Sequence, residues 1–225
     1  VNPLQFGPRE DFSRYPRNAK RDFLLCRGEK VDAVFYPAGM YEKGHLTYVE
    51  VTRLDQGLCG KTRPGHFRGV ATIVLKLFSL VRPDRAYFGQ KDAQQAVIIK
   101  KMADDFDIPV KIVCMPIVRD TDGLALSSRN KYLSTDERKR SLALYHALLN
   151  AKAMIQSSSL FPGQVKKNIR KKYFSKHGIK LDYFEIVDPV TLIPVCGKID
   201  KKVLIAGAMY VGKTRLIDNV TAHGP

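Results

Sequence analysis

Between residues 69 and 118, stretches in which hydrophobic residues recur with the spacing of a helix alternate with short apolar runs. Over 69–81 the spacing predicts a helix with one apolar face, and this face comprises Val70, Ile73, Val74, Leu77, Phe78 and Val81. A second helix is predicted over 93–106, with Ala96, Ile99, Ala103 and Phe106 buried. A short apolar run over 31–37 is typical of a buried strand, and strands are also predicted over 85–88 and 110–118. Strands that alternate with helices predict a parallel α/β sheet.

The pattern changes near residue 117. Ser134 and Glu137 match a Ser-x-x-Glu capping box for a helix to about residue 155, and a further helix is predicted over 164–177 with Gly178 after its end. Three strand-like runs then follow without helices between them, over 183–187, 203–208 and 214–217. The C-terminal part is therefore predicted to be antiparallel, and we expect two domains, residues 1–117 and residues 118–225.

Composition limits the class of protein. Hydrophobic residues make up 44% of the chain and charged residues 27%, which is typical of a globular protein. The apolar stretch over 70–81 is interrupted by Lys76 and is too short to cross a bilayer, so no membrane association is expected. Four widely spaced cysteines without a Cys-x-x-Cys pair argue against zinc and against a disulfide framework, and they favour a cytoplasmic location.

The chain is strongly basic, with a formal net charge of +16. Such a charge attracts nucleic acid or small phosphate compounds, and it is equally compatible with a merely basic surface. Cations crowd the helix over 164–177, which carries Lys166, Lys167, Arg170, Lys171, Lys172 and Lys176. Since Val165, Ile169 and Tyr173 supply a buried stripe, these cations form a solvated face. RNA binding there is not favoured, because no aromatic or glycine-rich RNA module accompanies it.

One candidate phosphate site lies between a predicted strand and a predicted helix, at residues 89–92. Gly89 would let the backbone approach a ligand, and the free N–H groups of a helix start favour anions that Lys91 could meet. The alternative is an ordinary helix cap with Asp92 as N-cap and Gln95 at N3.

A second candidate is the segment Ser127-Ser128-Arg129. Two hydroxyls and one forked, permanently charged guanidinium suit a triphosphate, although a solvated loop would have the same composition. The turn over 61–67 adds Arg63 and His66, and a lone histidine there is by default a hydrogen-bonded structural residue.

A third segment matches a phosphate-binding motif in its letters but lacks the structural context that the motif requires. Residues 207–214 match the P-loop pattern G-x-x-x-x-G-K-[ST], but only 11 residues follow, and they are strand-like. A P-loop requires a long helix directly after it. We therefore predict a hairpin with its turn near Gly212, and no nucleotide contact from Lys213.

Five segments in register carry a resemblance to a known family. They are Asn-Pro-Leu-Gln-Phe at 2–6, Arg-Pro-Gly-His-Phe at 63–67, Phe-Gly-Gln-Lys-Asp-Ala-Gln-Gln at 88–95, residues 119–130, and Arg-Leu-Ile-Asp-Asn at 215–219. Over nearly the whole chain the sequence resembles the pantoate–β-alanine ligase (pantothenate synthetase) family. The resemblance implies a Rossmann-like nucleotidyltransferase domain, a smaller α+β C-terminal domain that closes over ATP, and a homodimer.

The resemblance also assigns residues. It implies that Lys91, Ser127, Ser128 and Arg129 act in catalysis with Mg²⁺, whose ligands stay unassigned. The ATP site it implies comprises Gly89, Gln90, Lys91, Asp92, Val118, Leu126, Ser127, Ser128 and Arg129. Gln5 and Gln95 would hold pantoate, with Gln5 also near β-alanine. Asn2, Arg63 and His66 match further active-site positions.

The implied reaction has two steps, adenylation of pantoate and then attack of β-alanine, and it needs no protein nucleophile.

The family carries an H-x-G-H motif upstream of the Asn-Pro-x-Gln-Phe segment, and this sequence has none. Gln90 stands where the family usually has Glu, and Ala93 stands where the family often has Tyr. We therefore expect an N-terminally truncated member that lacks the first β-α unit of its nucleotide fold. The alternatives are an inactive fragment and a non-catalytic, basic nucleotide- or RNA-binding remnant.

Overall fold

The computed structural model describes residues 1–8, 10–175 and 177–225. Within these ranges the α-helices are α1 (Ala19–Gly28), α2 (Leu58–Thr62), α3 (His66–Val81), α4 (Ala93–Asp105), α5 (Thr135–Ser157) and α6 (Pro162–Tyr173). The strands are β1 (Arg85–Gly89), β2 (Lys111–Met115), β3 (Ile179–Val187), β4 (Lys202–Val211) and β5 (Thr214–His223). Short 3₁₀ helices span Pro3–Gln5, Gln90–Asp92 and Ser128–Tyr132.

The N-terminal part is an α/β unit, as predicted. Strands β1 and β2 pair in parallel, with Arg85 opposite Lys111 and Gly89 opposite Met115. Helices α3 and α4 pack together, and their buried side chains include Phe67, Val70, Ala71, Phe78, Ile98, Ile99 and Met102. The connection from β1 through α4 to β2 places the carboxyl end of β1 beside the N-terminus of α4, where α/β folds bind nucleotides.

Two predictions for this part are wrong. Residues 31–37 form no strand: Val34, Phe35 and Tyr36 are all about half exposed or more, and within the described ranges the segment joins no β-ladder. A strand needs a neighbour for its backbone groups, so apolar residues alone do not make one. Phe106 is 57% exposed because α4 ends one residue earlier and the chain turns away at Asp107, whose φ is 50°.

The C-terminal part is an antiparallel sheet covered by two helices, also as predicted. The sheet order is β3-β4-β5, and α5 and α6 supply a buried face against it that includes Leu148, Ile155, Val165 and Ile169. The Ser134–Glu137 capping box of α5 is present, with Glu137 N–H donating to Ser134 Oγ at 3.3 Å and Ser134 N–H donating to the Glu137 carboxylate at 2.9 Å.

Helix α6 is amphipathic but shorter than predicted. Val165 and Ile169 are fully buried, while Lys166 pairs with Glu185 at 2.7 Å. Since α6 ends at Tyr173, Gly178 does not end this helix; it precedes β3 with a φ of 79°. Lys176 lies outside the described residues.

The P-loop-like segment is a hairpin, which confirms the prediction. Val211 pairs with Thr214 across a two-residue turn, and β5 continues from there to His223. Gly212 has a φ of 56°, the left-handed conformation that tight hairpin turns require and glycine adopts readily. Lys213 is exposed beside it.

The two parts contact each other through the sheet. Tyr183 and Ile217 pack against the core of α3 and α4, and Arg215 donates to Thr62 Oγ1 at 3.1 Å. As far as the chain is described, no helix is both long and apolar enough to cross a membrane.

Candidate active site

Lys91 lies in the 3₁₀ turn that joins β1 to α4. Gly89 ends β1 and is exposed, with nothing within 4 Å of the position a Cβ would take, so its backbone is open to a ligand. The Lys91 ammonium is 3.9 Å from the Asp92 carboxylate, and its side chain is 21% exposed. Asp92 occupies the N-cap position of α4 but its side chain makes no capping hydrogen bond. The alternative prediction, an ordinary helix cap formed by Asp92, is therefore wrong.

Ser127, Ser128 and Arg129 lie at the start of the 3₁₀ helix after β2. Ser127 Oγ accepts from Arg129 N–H at 3.3 Å, and Ser128 Oγ donates to Tyr15 OH at 2.8 Å. The Arg129 guanidinium donates to both carboxylate oxygens of Asp11, at 2.9 and 2.6 Å. These bonds lower the pKa of Asp11 below its ordinary value. The segment is therefore an ordered turn, not a solvated loop.

The two segments meet at one cavity. Lys91, Asp92, Ser127 and Arg129 all line it, together with Arg63. A neighbouring cleft of about 520 Å³ shares Arg63 and Arg129 with this cavity and is large enough for a small ligand. Four cations from four separate chain segments thus line this cavity: Arg63, Lys91, Arg129 and Arg215. Converging cations of this kind can bind a polyanion.

Arg63 and His66 form a hydrogen-bonded unit at the start of α3. Arg63 donates to Glu10 at 2.7 and 2.5 Å. Burial alone would raise the pKa of Glu10, but the hydrogen bonds and charge of Arg63 lower it below its ordinary value. His66 Nδ1 lies 2.8 Å from the Gln5 carbonyl oxygen and Nε2 lies 2.9 Å from Arg63 Nη1. Because a carbonyl only accepts and a guanidinium only donates, the proton is on Nδ1 and the ring is neutral.

The electrostatics agree with that tautomer. Burial and the adjacent Arg63 charge lower the pKa of His66 from 6.5 to about 4. The imidazole is therefore neutral at physiological pH. Its contacts make it a residue that orients Arg63 and the Gln5 backbone.

Asn2 and Gln5 are held in the N-terminal 3₁₀ helix against α3. Asn2 Oδ1 accepts from Leu4 N–H at 3.4 Å, and its amide donates to Gln5 Oε1 at 3.2 Å and to the Gly69 carbonyl at 3.0 Å. A Cβ at Gly69 would lie 2.2 Å from the Leu4 carbonyl oxygen, so glycine is required for this close approach. Asn2 therefore acts as a cap that fixes Gln5. Gln95, in the first turn of α4, lines a cavity with Arg63, His66 and Lys91.

A comparison of the sequence with known families gives a match over residues 1–221 to pantoate–β-alanine ligase. The chain belongs to the pantoate–β-alanine ligase family. It is 51% identical to a pantothenate synthetase from Sulfurihydrogenibium sp., over 98% of this chain and 79% of that protein. It is 52% identical to one from Caldicellulosiruptor saccharolyticus, over 99% of this chain and 80% of that protein.

Solved structures of the pantoate–β-alanine ligase family share the fold. The pantothenate synthetase of Thermus thermophilus superposes with a TM-score of 0.90 at 42% identity, covering 97% of this chain and 80% of that one. A ligase from Francisella tularensis, solved as a complex with beta-gamma ATP and β-alanine, has a TM-score of 0.72 at 32% identity, covering 98% and 76%. The α/β fold and the enzyme family predicted from the sequence are thus confirmed, and a basic RNA-binding remnant is not favoured.

Five of the predicted ATP-site residues do not line the shared cavity: Gly89, Gln90, Val118, Leu126 and Ser128. Val118 is 66% exposed and Leu126 is 47% exposed. Leu126 N–H donates to the Val118 carbonyl at 3.0 Å, which pairs the two residues at the base of the loop that leads to Ser127. Neither side chain lines the cavity of Lys91 and Arg129.

Sequence reasoning missed the acids of this candidate site. Glu10 and Asp11 hold Arg63 and Arg129, and Asn219 donates to the carbonyls of Gln90 and Lys91 at 2.8 and 3.0 Å. Two adjacent acids shortly after the Asn-Pro-Leu-Gln-Phe segment were the available signal, but nothing local links them to arginines more than 50 positions away.

Proposed function

We propose that this chain is an ATP-dependent ligase that joins pantoate to β-alanine through a pantoyl-adenylate intermediate. The observation that carries the proposal is the cavity that Lys91 of the N-terminal part shares with Ser127 and Arg129 of the C-terminal part. Membership of the ligase family supports the overall reaction. The nucleotide and β-alanine in the Francisella tularensis complex support both as substrates.

The first step forms a bond between a pantoate carboxylate oxygen and the α-phosphorus of ATP, and pyrophosphate leaves. In the second step the amine of β-alanine attacks the pantoyl carbonyl, loses a proton, and AMP leaves with the oxygen that pantoate contributed. Lys91 and Arg129 would neutralise charge that develops on the phosphates, while Ser127 and Ser128 would donate hydrogen bonds. Loss of one such group typically costs about 3–4 kcal/mol of transition-state stabilisation.

In this proposal Arg129 must exchange the Asp11 carboxylate for phosphate oxygens. Its guanidinium is paired with Asp11 at 2.6 Å, so phosphate oxygens would compete with that carboxylate. The pair keeps Arg129 directed at the cavity before the nucleotide enters. Gly89, Gln90 and Asp92 would complete the phosphate side of the site, and Val118 and Leu126 would reach adenine if the C-terminal part closed over the nucleotide.

Pantoate and β-alanine would bind on the side of Gln5 and Gln95. Neutral amides orient a polar hydroxy acid without fixing its carboxylate in an ion pair, which leaves that carboxylate free to attack. Arg63 is the cation on this side, and its guanidinium is already paired with the Glu10 carboxylate, so it would not fix the pantoate carboxylate. Asn2 and His66 would act indirectly by holding Gln5 and Arg63.

Mg²⁺ is proposed as part of the nucleotide substrate. In residues 1–8, 10–175 and 177–225 no group of three or more potential ligand side chains could hold a metal by itself. Mg²⁺ commonly binds phosphate oxygens and water with only one or two carboxylates. Asp92, which lines the cavity with its side chain about half exposed, is the carboxylate that fits such a role.

The domain boundary and the assembly are also proposals. We place the boundary near residue 117, because separate buried clusters lie among residues 59–102 and among residues 144–222. A homodimer is proposed from the family resemblance. Exposed apolar side chains on and after α1, including Phe23, Leu24 and Tyr36, support a protein surface that associates.

Isotope transfer tests the adenylate intermediate. Pantoate labelled with oxygen-18 in its carboxylate is incubated with the chain, MgATP and β-alanine, and the nucleotides are analysed by mass spectrometry. The proposal predicts AMP that carries one labelled oxygen, formed together with pantothenate. Release of ADP with labelled phosphate would indicate an acyl phosphate instead, and the absence of pantothenate would contradict the proposed activity itself.

A further inference from the structure

Two adjacent polar side chains are buried on β5 next to the proposed ATP site. Asp218 is 5% exposed and Asn219 is 3% exposed. Both line the cavity that also contains Lys91 and Gln95. Buried polar groups are costly unless they are hydrogen-bonded, so their partners show what they hold in place.

Asn219 holds the turn that carries Lys91. Its side-chain amide donates to the carbonyl of Gln90 at 2.8 Å and to the carbonyl of Lys91 at 3.0 Å. The Gln90 side chain in turn donates to Asn219 Oδ1 at 3.4 Å. Fixing two successive carbonyls fixes the backbone from which the Lys91 side chain projects.

Asp218 holds the loop that leads to Ser127. It accepts from Arg119 through both carboxylate oxygens, at 2.7 and 2.9 Å, and Arg119 also donates to the Gly123 carbonyl at 2.9 Å. Arg119 and Ala125 form a β-bridge that closes this loop two residues before Ser127. Asp218 Oδ1 also accepts from the Asn219 backbone N–H at 2.8 Å, which fixes the Asp218 side chain against the backbone of Asn219.

We propose that Asp218 and Asn219 form a positioning pair that sets the distance between Lys91 and the Ser127–Arg129 segment for a triphosphate. This inference rests on the proposed function. In this proposal Asn219 acts through the Lys91 turn, and Asp218 acts through the Arg119 loop.

Directional hydrogen bonds fit this role better than apolar contacts would. A buried ion pair such as Asp218–Arg119 often stabilises a fold no more than well-packed apolar residues of the same volume. What it adds is a defined geometry, since a bidentate carboxylate and a doubly donating amide accept few alternative positions. The phosphate site requires that kind of precision, because displacement by about 1 Å can lower catalysis by about 100-fold.

The test uses two Asn219 variants and one matched control. Asn219→Asp keeps the shape of the side chain but cannot donate to either carbonyl, and Asn219→Ala removes the amide without adding charge. Thr72→Val is the control, because Thr72 is equally buried, accepts from Val49 N–H at 3.0 Å and donates to the Arg68 carbonyl at 2.7 Å. Titration calorimetry gives the Kd of α,β-methylene ATP, and thermal unfolding gives the Tm.

We expect both Asn219 variants to weaken ATP-analogue binding about tenfold, while Thr72→Val lowers the Tm and leaves the Kd within about twofold of wild type. A purely structural Asn219 would instead change the Tm as Thr72→Val does and spare the Kd, which would overturn the inference. Because Asn219→Asp preserves the side-chain volume, it remains informative if Asn219→Ala does not fold.

A double-variant cycle with Lys91→Ala isolates the positioning role. If Asn219 acts through Lys91, Asn219→Ala weakens binding about tenfold in wild type but less than about twofold when Lys91 is already alanine. Additive losses would contradict that route. A wild-type chain that binds no ATP analogue would overturn the proposed function along with this inference, whereas normal binding by wild type and by both Asn219 variants would overturn the inference alone.

Discussion

His66 shows how its neighbours decide the protonation state of a single side chain. The Gln5 carbonyl accepts from Nδ1 and Arg63 donates to Nε2, so both ring nitrogens are used by the neutral form. A proton added at Nε2 would face a guanidinium 2.9 Å away. The pKa of about 4 is therefore a consequence of burial first and of this guanidinium second.

The depressed pKa predicts a pH dependence of stability with a defined sign. Between pH 6.5 and about 4 the unfolded chain binds a proton at this imidazole that the folded chain does not bind, so the free energy of unfolding falls as the pH is lowered. The full loss is about 3 kcal/mol below pH 4, and the effect is absent at pH 7 and above.

Urea unfolding of wild type and His66→Gln at several pH values between 7 and 4 measures this contribution. Glu10 and Asp11 also lose stabilisation in acid because their pKa values are lowered, so the comparison with the variant is what isolates His66. The wild type should lose more stability than the variant across this range. Parallel curves would show that the imidazole titrates normally.

The sequence suggested candidate site residues, but it did not show the partners that hold them. Residue type and local turn chemistry made Lys91 and Arg129 candidates, and the family resemblance assigned them to the site. The acids that hold the cations come from distant positions: Asp11 lies 118 residues from Arg129, and Asp218 lies 99 residues from Arg119. Only the folded chain brings such groups together, so the sequence could not show that Arg129 is paired before a ligand binds.

At the scale of elements, the β4–β5 hairpin shows that a segment can match the P-loop sequence without forming a P-loop. The letters of a P-loop are present, but Gly212 and Lys213 form a two-residue turn between paired strands. A P-loop cradles phosphate with the N-terminus of a following helix, and β5 follows instead. The lysine is exposed at the turn, with a paired strand rather than a helix N-terminus directly after it.

Lys213→Ala is therefore expected to leave the Kd for α,β-methylene ATP within about threefold of wild type, because an exposed single charge contributes little. Lys91→Ala is the matched lysine variant and should weaken binding at least about tenfold. Calorimetric titration of both variants under identical salt conditions makes the comparison. A large loss for Lys213→Ala with a normal Tm would contradict this expectation and show that Lys213, which lines the cleft of Arg63 and Arg129, contacts the nucleotide.

Elements with local signals were predicted well, and elements that depend on neighbours were not. The capping box of α5 and the apolar period of α3 both lie within a few residues and are read from the sequence directly. The segment over 31–37 has the composition of a strand, but a strand also needs a partner for its backbone groups. Composition specifies the preference of a segment, whereas pairing depends on the rest of the fold.

At the scale of the whole molecule, the proposed mechanism requires two lobes that bind one nucleotide. The N-terminal part supplies Lys91 from the carboxyl end of β1, and the C-terminal part supplies Ser127 and Arg129. Contacts that hold the lobes together, such as Asn219 with the Lys91 turn, also determine the geometry of the site. The net charge of +16 fits a protein that attracts phosphate compounds.

The most direct measurement is the preference for ATP over AMP in wild type, Lys91→Ala and Arg129→Ala. If both cations contact the same triphosphate, each variant should bind α,β-methylene ATP at least about tenfold more weakly while its Kd for AMP changes less than about threefold. Calorimetry with each nucleotide, together with a Tm for each variant, provides the result. Wild-type affinity for the ATP analogue in either variant would show that the two lobes do not share one nucleotide, and the proposed ligase site would be wrong.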